Sequence, residues 1–253
     1  MVCAGLGVLL VGGGTVPMRA YERPSRCLLA ECVREGRVAR GGAVFTVGTD
    51  AARVEEWLTD GELMCPSCGG SLRPWGWART RTLRDDGGAV VLRPRRSRCG
   101  ECGGSHVLLP VFALLRRADA VSVIGAALAA RAGGAGVRKV AAVVGRPVET
   151  VRGWLRCFTV RAEAVRVAFT ALLVGVGVDP VPPAATSSVF ADAVAAIVGA
   201  SMAARSRWPE IGELPAWLLA AAVTGGRLLA PGLAPIHKIN RQHELPLPVL
   251  ILT

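Results

Sequence analysis

Two Cys-x-x-Cys pairs constrain this chain more than any other feature. They are Cys65-x2-Cys68 and Cys99-x2-Cys102, with thirty residues between them, and each is followed by a glycine, Gly69 and Gly103. A metal-binding knuckle must turn its backbone amides toward two thiolates, and glycine adopts the positive φ that this needs. Thirty intervening residues suit a hairpin that leaves one knuckle and returns to the other. The spacing predicts a structural Zn2+ site of four protein ligands, closed to substrate, in a reducing compartment. The competing reading, a redox dithiol, wants a thioredoxin-like βαβ context, and none is visible. Cys3, Cys27, Cys32 and Cys157 lack ligand spacing and read as small buried hydrophobes. His106, four residues after Cys102, reads as a neighbour of the site or a surface residue in preference to a ligand.

Charge is concentrated around those knuckles. The 253-residue chain carries a formal +11. Residues 1–64 sum to −1, residues 65–102 to +5, residues 103–170 to +7 and residues 171–253 to zero. A basic block between neutral flanks predicts a polyanion partner, nucleic acid before membrane surface. A composition of 51% apolar and 19% charged residues excludes disorder of the whole chain. Lys139 and Lys238 are the only lysines, a bias that fits a high-GC genome, so arginine usage alone carries little functional weight.

Val2 to Met18 bears no charge and is broken by Gly5, Gly7, Gly12, Gly13 and Gly14. No basic residue precedes Arg19, against a secretory signal, and the stretch is short for a spanning helix. It is expected to be a poorly ordered lead-in extending to residue 50, with Met18 as an alternative start. Residues 51–110 read as a short helix, Ala51 to Leu58 capped by Asp50, followed by a zinc ribbon. The ribbon runs out from Ser71 to Leu83, turns at Arg84-Asp85-Asp86-Gly87-Gly88 and returns from Ala89 to Arg98. Strict alternation would place Arg73, Trp75, Trp77, Arg79 and Arg81 on one face. Arginines interleaved with indoles suit phosphates, with the rings on sugars or bases. The alternative is that the tryptophans pack the ribbon and the arginines are merely solvated.

Residues 111–178 read as a helix-turn-helix domain. Ala118 to Arg131 would support a first helix from Val137 to Val144 and a second from Val148 to Arg161. Ala141 lies four residues before Gly145, a spacing that lets two helices approach and the chain take a left-handed turn. Pro147 and Glu149 suit the start of the second helix. At about 100° per residue, Val151, Trp154, Leu155 and Phe158 share one side, with Glu149, Arg152, Gly153 and Arg156 opposite. A slim basic face opposite a core face suits a major-groove reader. Arg152 and Arg156 are the candidate base readers, flanked by Glu149 and Thr150. Lys139, Arg146, Arg79, Arg81, Arg95 and Arg96 are the candidate phosphate contacts. The alternative is an ordinary helical hairpin with a solvated face.

Residues 179–230 read as C-terminal helices, over Ser188 to Arg205 and Pro215 to Thr224, and residues 231–253 as a loose tail. Val189, Val194, Ile197 and Val198, and Trp217 with Leu218 and Leu219, offer apolar surface for a homodimer or for capping the domain. The expected class is α+β, mostly α.

The string Cys65-Pro-x-Cys68-Gly, Trp75-Gly76, Arg79-x-Arg81, Arg84-Asp85, Arg93-x-Arg95-Arg96-x-Arg98-Cys99-x-x-Cys102-Gly resembles the N-terminal zinc ribbon of certain bacterial insertion-sequence transposases. In those, a helix-turn-helix follows and binds the element's terminal repeats. With His106-Val-Leu-Leu-Pro110, Leu115-Arg-Arg-Ala-Asp119, Gly145-Arg146-Pro147 and Val151-Arg152-Gly153-Trp154, it is more similar still to an uncharacterised high-GC bacterial family that joins a zinc ribbon to a helix-turn-helix. The resemblance covers about residues 55–175 and implies double-stranded DNA as partner. It departs from the transposases after residue 170, where Asp179, Asp192, Glu210, Glu213 and Glu244 lie in helix and tail with no strand pattern for a two-metal carboxylate site.

These readings favour a cytoplasmic, nucleoid-associated, zinc-dependent DNA-binding protein: a mobile-element regulator or accessory factor, or a transposase-like N-terminal module. No membrane or small-molecule partner is expected. No catalytic residues are proposed: the histidines are scattered and Gly12-Gly13-Gly14 lacks the ending of a P-loop. The alternatives are a zinc-ribbon adaptor for protein or RNA and, less favoured, a transposase.

Overall fold

The computed structural model describes residues 43–177, 179–209 and 212–230. The expectations for the chain before Ala43, including Met18, Cys3, Cys27 and Cys32, and for the tail from residue 231 lie outside them. Six strands and seven helices make the described chain α+β.

The expected lead-in to residue 50 overlaps real structure. Ala43–Val47 form strand β1. Helix α1 follows over Ala51–Asp60; the Asp50 carboxylate accepts from the Ala52 and Arg53 amides at 2.9 and 3.2 Å, the expected cap. Strands β2 (Leu72–Trp77), β5 (Arg95–Cys99) and β6 (Ser105–Pro110) join β1 in a four-stranded sheet of order β1-β6-β5-β2. The β1–β6 pair is parallel and the others are antiparallel. Strand β1 was not legible as such because its partner lies 63 residues on, Ala43 opposite His106.

The two long ribbon strands are each broken. Strands β3 (Arg81–Asp85) and β4 (Gly88–Leu92) form a separate hairpin with Asp86-Gly87 as its two-residue turn. Pro94, with no N–H to donate, interrupts the return strand, while its carbonyl still accepts from Ala78 at 2.8 Å. The alternation on β2 is broken as well. The β2–β5 register shifts between Pro74 and Gly76, and Gly76 takes φ +103°.

Helices α2 (Val121–Ala132), α3 (Val137–Val144), α4 (Val148–Thr159), α5 (Ala162–Val176), α6 (Val189–Arg207) and α7 (Ala216–Val223) follow among the described residues. Two apolar cores result. The smaller lies between the sheet and α1, with Phe45, Val47, Val54, Leu58, Leu72 and Leu108. The larger joins Leu83 and Leu92 of the hairpin to all six later helices.

The C-terminal helices therefore share the core of the preceding helices instead of standing apart. Trp217 of α7 lies on Gly125 of α2 so closely that a Cβ there would overlap the indole. Thr46 of β1 donates its hydroxyl to the Ala222 carbonyl at 3.4 Å, and the Leu115 N–H reaches Gly226 O at 2.8 Å. The apolar surface expected on α6 is divided: Val194 and Ile197 are buried, whereas Val189 and Val198 are exposed. Helix α6 is long and apolar enough to cross a membrane by length and composition; one side of it, with Ala193, Ala196, Ile197, Ala200 and Ala204, is buried in the larger core.

Candidate metal centre and nucleic-acid interface

The two knuckles are built alike. Gly69 and Gly103 hold φ at +76° and +70°. Gly69 donates to Cys65 O at 2.9 Å and Cys65 to Gly70 O at 2.7 Å. In the second knuckle, Gly103 donates to Cys99 O at 3.1 Å and Cys99 to Gly104 O at 2.8 Å. The Gly100 amide bonds Ser71 O at 3.2 Å and ties one knuckle to the other. All four Sγ atoms of Cys65, Cys68, Cys99 and Cys102 lie within 4.8 Å of one another. Cys65 and Cys102 are 3.7 Å apart, Cys68 and Cys99 3.4 Å. Tetrahedral coordination at a metal–sulfur length of about 2.3 Å needs an edge of about 3.8 Å. With separations running from 3.4 Å to no more than 4.8 Å, the donor set can close on a single metal ion by movements of up to about 1 Å. Cys65 and Cys99 are buried and Cys68 and Cys102 exposed.

Cys65, Cys68 and Cys99 are shifted in conflicting directions. Burial pushes the Cys65 thiol up, and it pushes Cys68 up to about 12. Cys99 is drawn down to about 7, chiefly by the Cys102 backbone N–H aimed at its sulfur. A divalent cation relieves this conflict by favouring every thiolate at once. His106, buried on β6, places Nε2 3.4 Å from Cys65 Sγ, within hydrogen-bond reach of that sulfur. Burial lowers its pKa and keeps the ring neutral.

Glycine and alternation shape the helical surface. Gly145 ends α3 in the left-handed region at φ +60°, ψ +38°, and Arg146 N–H returns to Ala141 O at 3.1 Å. Pro147 stands just before α4. On α4, Val151, Trp154, Leu155 and Phe158 are buried, whereas Glu149, Arg152 and Arg156 are exposed. Glu149 and Arg152 form an ion pair one turn apart. Thr150 is half-buried, and Lys139 is exposed on α3.

The arginines anticipated as phosphate contacts divide into free and engaged groups. Arg79 is exposed between β2 and β3. Arg81 is half-buried with Nε and one Nη shielded and unbonded, and burial lowers its pKa. Arg96 also has an unbonded, shielded Nε. By contrast, Arg95 holds both Glu55 carboxylate oxygens, at 2.8 and 2.9 Å, and Gly76 O at 2.8 Å. Arg146 bonds Asp119 at 2.6 Å and also reaches the carbonyls of Val144, Gly145 and Asp85. The donors of these two arginines are used inside the protein, so their observed work is to position other elements.

Asp119 is the residue that sequence reading passed over. Its buried carboxylate takes Arg146 on one oxygen and Arg84 on the other at 2.7 Å. Together with Ser122 Oγ donating to Asp85 at 2.7 Å, this fastens the β3–β4 hairpin to the start of α2 and the turn before α4. Arg84-Asp85, Asp119 and Arg146 all occur within the motifs quoted above, a signal that they belong together, although nothing in their spacing names the pairing.

No family model, curated protein or solved structure matches this chain.

Proposed function

We propose that this chain is a zinc-dependent DNA-binding protein, with a structural zinc ribbon beside a helix-turn-helix formed by α3 and α4. The carrying observation is the sidedness of α4: a buried Val151, Trp154, Leu155, Phe158 side opposite an exposed Arg152 and Arg156. Two guanidinium groups four residues apart on a slim helix can enter one major groove, where the arginine fork matches guanine O6 and N7. Glu149 holds Arg152 extended along the surface until a base edge competes for it. Gly153, next to these residues, has nothing within 4 Å of an added Cβ, so the surface there is open to a partner. Zinc suits the ribbon because four thiolates in a tetrahedron leave no open position and need no redox change.

Lys139 of α3 and Arg79, Arg81 and Arg96 of the ribbon are assigned to phosphates; Arg95 and Arg146 are assigned to positioning. The resemblance to insertion-sequence transposases supports a mobile-element setting, as regulator, accessory factor or N-terminal module. The decisive experiment is selection of bound duplexes from a random pool, followed by titration of variants. Arg152→Ala should cost about 1–3 kcal/mol on the selected site and little on random DNA. Arg96→Ala should weaken both alike and flatten the salt slope by about one unit. Selection that enriches no sequence, or an unchanged preference in Arg152→Ala, would overturn the assignment of α4.

A further inference from the structure

We propose that Trp75, with Arg73, Arg96 and Arg98, forms a second contact surface that stacks an unpaired DNA base and holds the phosphates beside it. This rests on the DNA-binding reading above and adds single-stranded DNA to the duplex.

The two ribbon tryptophans, so alike in sequence, occupy opposite faces of the sheet. In the β2–β5 register, Leu72, Pro74 and Trp77 stand opposite Cys99, Ser97 and Arg95, the face that packs on α1. Arg73 and Gly76 stand opposite Arg98 and Arg96, on the other face. Trp75 is the extra residue of the bulge, and it lies with Arg98. The two rings therefore have different duties. Trp77 is 50% open to solvent, but its ring lies 4.7 Å from Arg95, which Glu55 of α1 holds, so its cation is tied to the junction of sheet and helix. Trp75 touches no such junction. Its ring lies 4.7 Å from the Arg98 guanidinium, and 53% of the residue is open to solvent.

Arg98 is itself steadied, with Nε–H donating to Gly103 O at 3.3 Å. The Arg98 guanidinium thus covers one side of the indole. Beside it, Gly76 adds no side chain to this face. Arg73, Arg96 and Arg98 have no ion-pair partner among the described residues. The surface is cationic, aromatic and on the edge strand β2 of its sheet. Such a combination recognises a nucleic-acid strand by stacking plus phosphate contact. A paired base keeps both π-faces covered inside its duplex. An unpaired base frees its π-face and carries its own flanking phosphates to the arginines, so a single-stranded end, gap or melted terminus is the ligand this surface suits.

The test uses the full-length metal-loaded chain and two probes: the selected duplex with blunt ends, and the same duplex carrying a short single-stranded thymine overhang. The overhang should tighten binding by about tenfold, the low end of what stacking one base contributes. Trp75→Ala should abolish that gain and leave blunt-end affinity unchanged, Trp75→Phe should retain most of it, and Arg73→Ala should reduce it. Zinc content and the far-ultraviolet spectrum monitor folding, and Trp77→Ala should lower stability without touching the overhang gain. Equal binding of both probes by the wild type overturns this surface while leaving the duplex reading intact. So does a gain seen with an RNA overhang and not with DNA, or a gain that survives both Trp75→Ala and Arg73→Ala. Failure of the wild type to bind either probe overturns the DNA reading itself.

Discussion

Replacing Asp119 by Ala removes a carboxylate that two arginines share, and the structure lets the cost be apportioned. The Asp119 side chain is 3% exposed and that of Arg146 15%, so their 2.6 Å contact is a buried pair. Breaking a buried pair by deleting one partner costs about 3–5 kcal/mol, because the surviving charge is left in a poorly solvated place. Here that charge keeps the carbonyls of Val144, Gly145 and Asp85, which pulls the figure to the lower part of the range. Arg84 is 48% exposed and can turn to water, so losing its bond adds less than about 1 kcal/mol. Asp119→Ala should therefore lose about 3 kcal/mol. Asp119→Leu combined with Arg146→Met should recover much of this, since no charge remains to be stranded. Urea unfolding followed by tryptophan fluorescence measures both. The metal content should not change, because the four cysteines cluster at the other core, of which Cys65 and Cys99 are part. A loss below about 0.5 kcal/mol in Asp119→Ala, the range of ordinary surface substitutions, would refute the reasoning.

Gly125→Ala should be destabilising by about 1–3 kcal/mol despite alanine's better helix propensity, because its methyl overlaps Trp217; thermal unfolding of Gly125→Ala with and without Trp217→Leu checks this. Cys99→Ser should release the metal and lower amide protection in β2, β5 and α1 while sparing α5 and α6, as read by metal analysis and hydrogen exchange. Metal affinity should fall as pH falls. Cys65, pushed up by burial, and Cys68, pushed up to about 12, must each lose a proton to ligate near neutral pH, and Cys99, near 7, adds a further proton below neutrality. Chelator competition at mildly alkaline and mildly acidic pH gives the slope, and a flat profile would exclude thiolate ligation.

Features set by neighbours in the chain were legible from the residues alone. The knuckles follow from Cys-x-x-Cys and the glycine after each, since a turn of a few residues needs nothing distant. Helix α1 was announced by the Asp50 cap before Ala51 to Leu58, and α4 by the period of Val151, Trp154, Leu155 and Phe158. Tertiary structure decided which of these features face what. Period-2 alternation put Trp75 and Trp77 together, but one extra residue at the bulge turned them to opposite sides of the sheet. Ten arginines from Arg73 to Arg117 look equivalent in sequence, yet Glu55 takes Arg95 from 40 residues away and Asp119 takes Arg84 from 35. Thr46 meets Ala222 across 176 residues, which is how β1 and α7 come to share one body. Local geometry obeys the repeat of the helix or strand and leaves a period to read. Ion pairs and strand partners are chosen by the path of the whole chain, and they leave none.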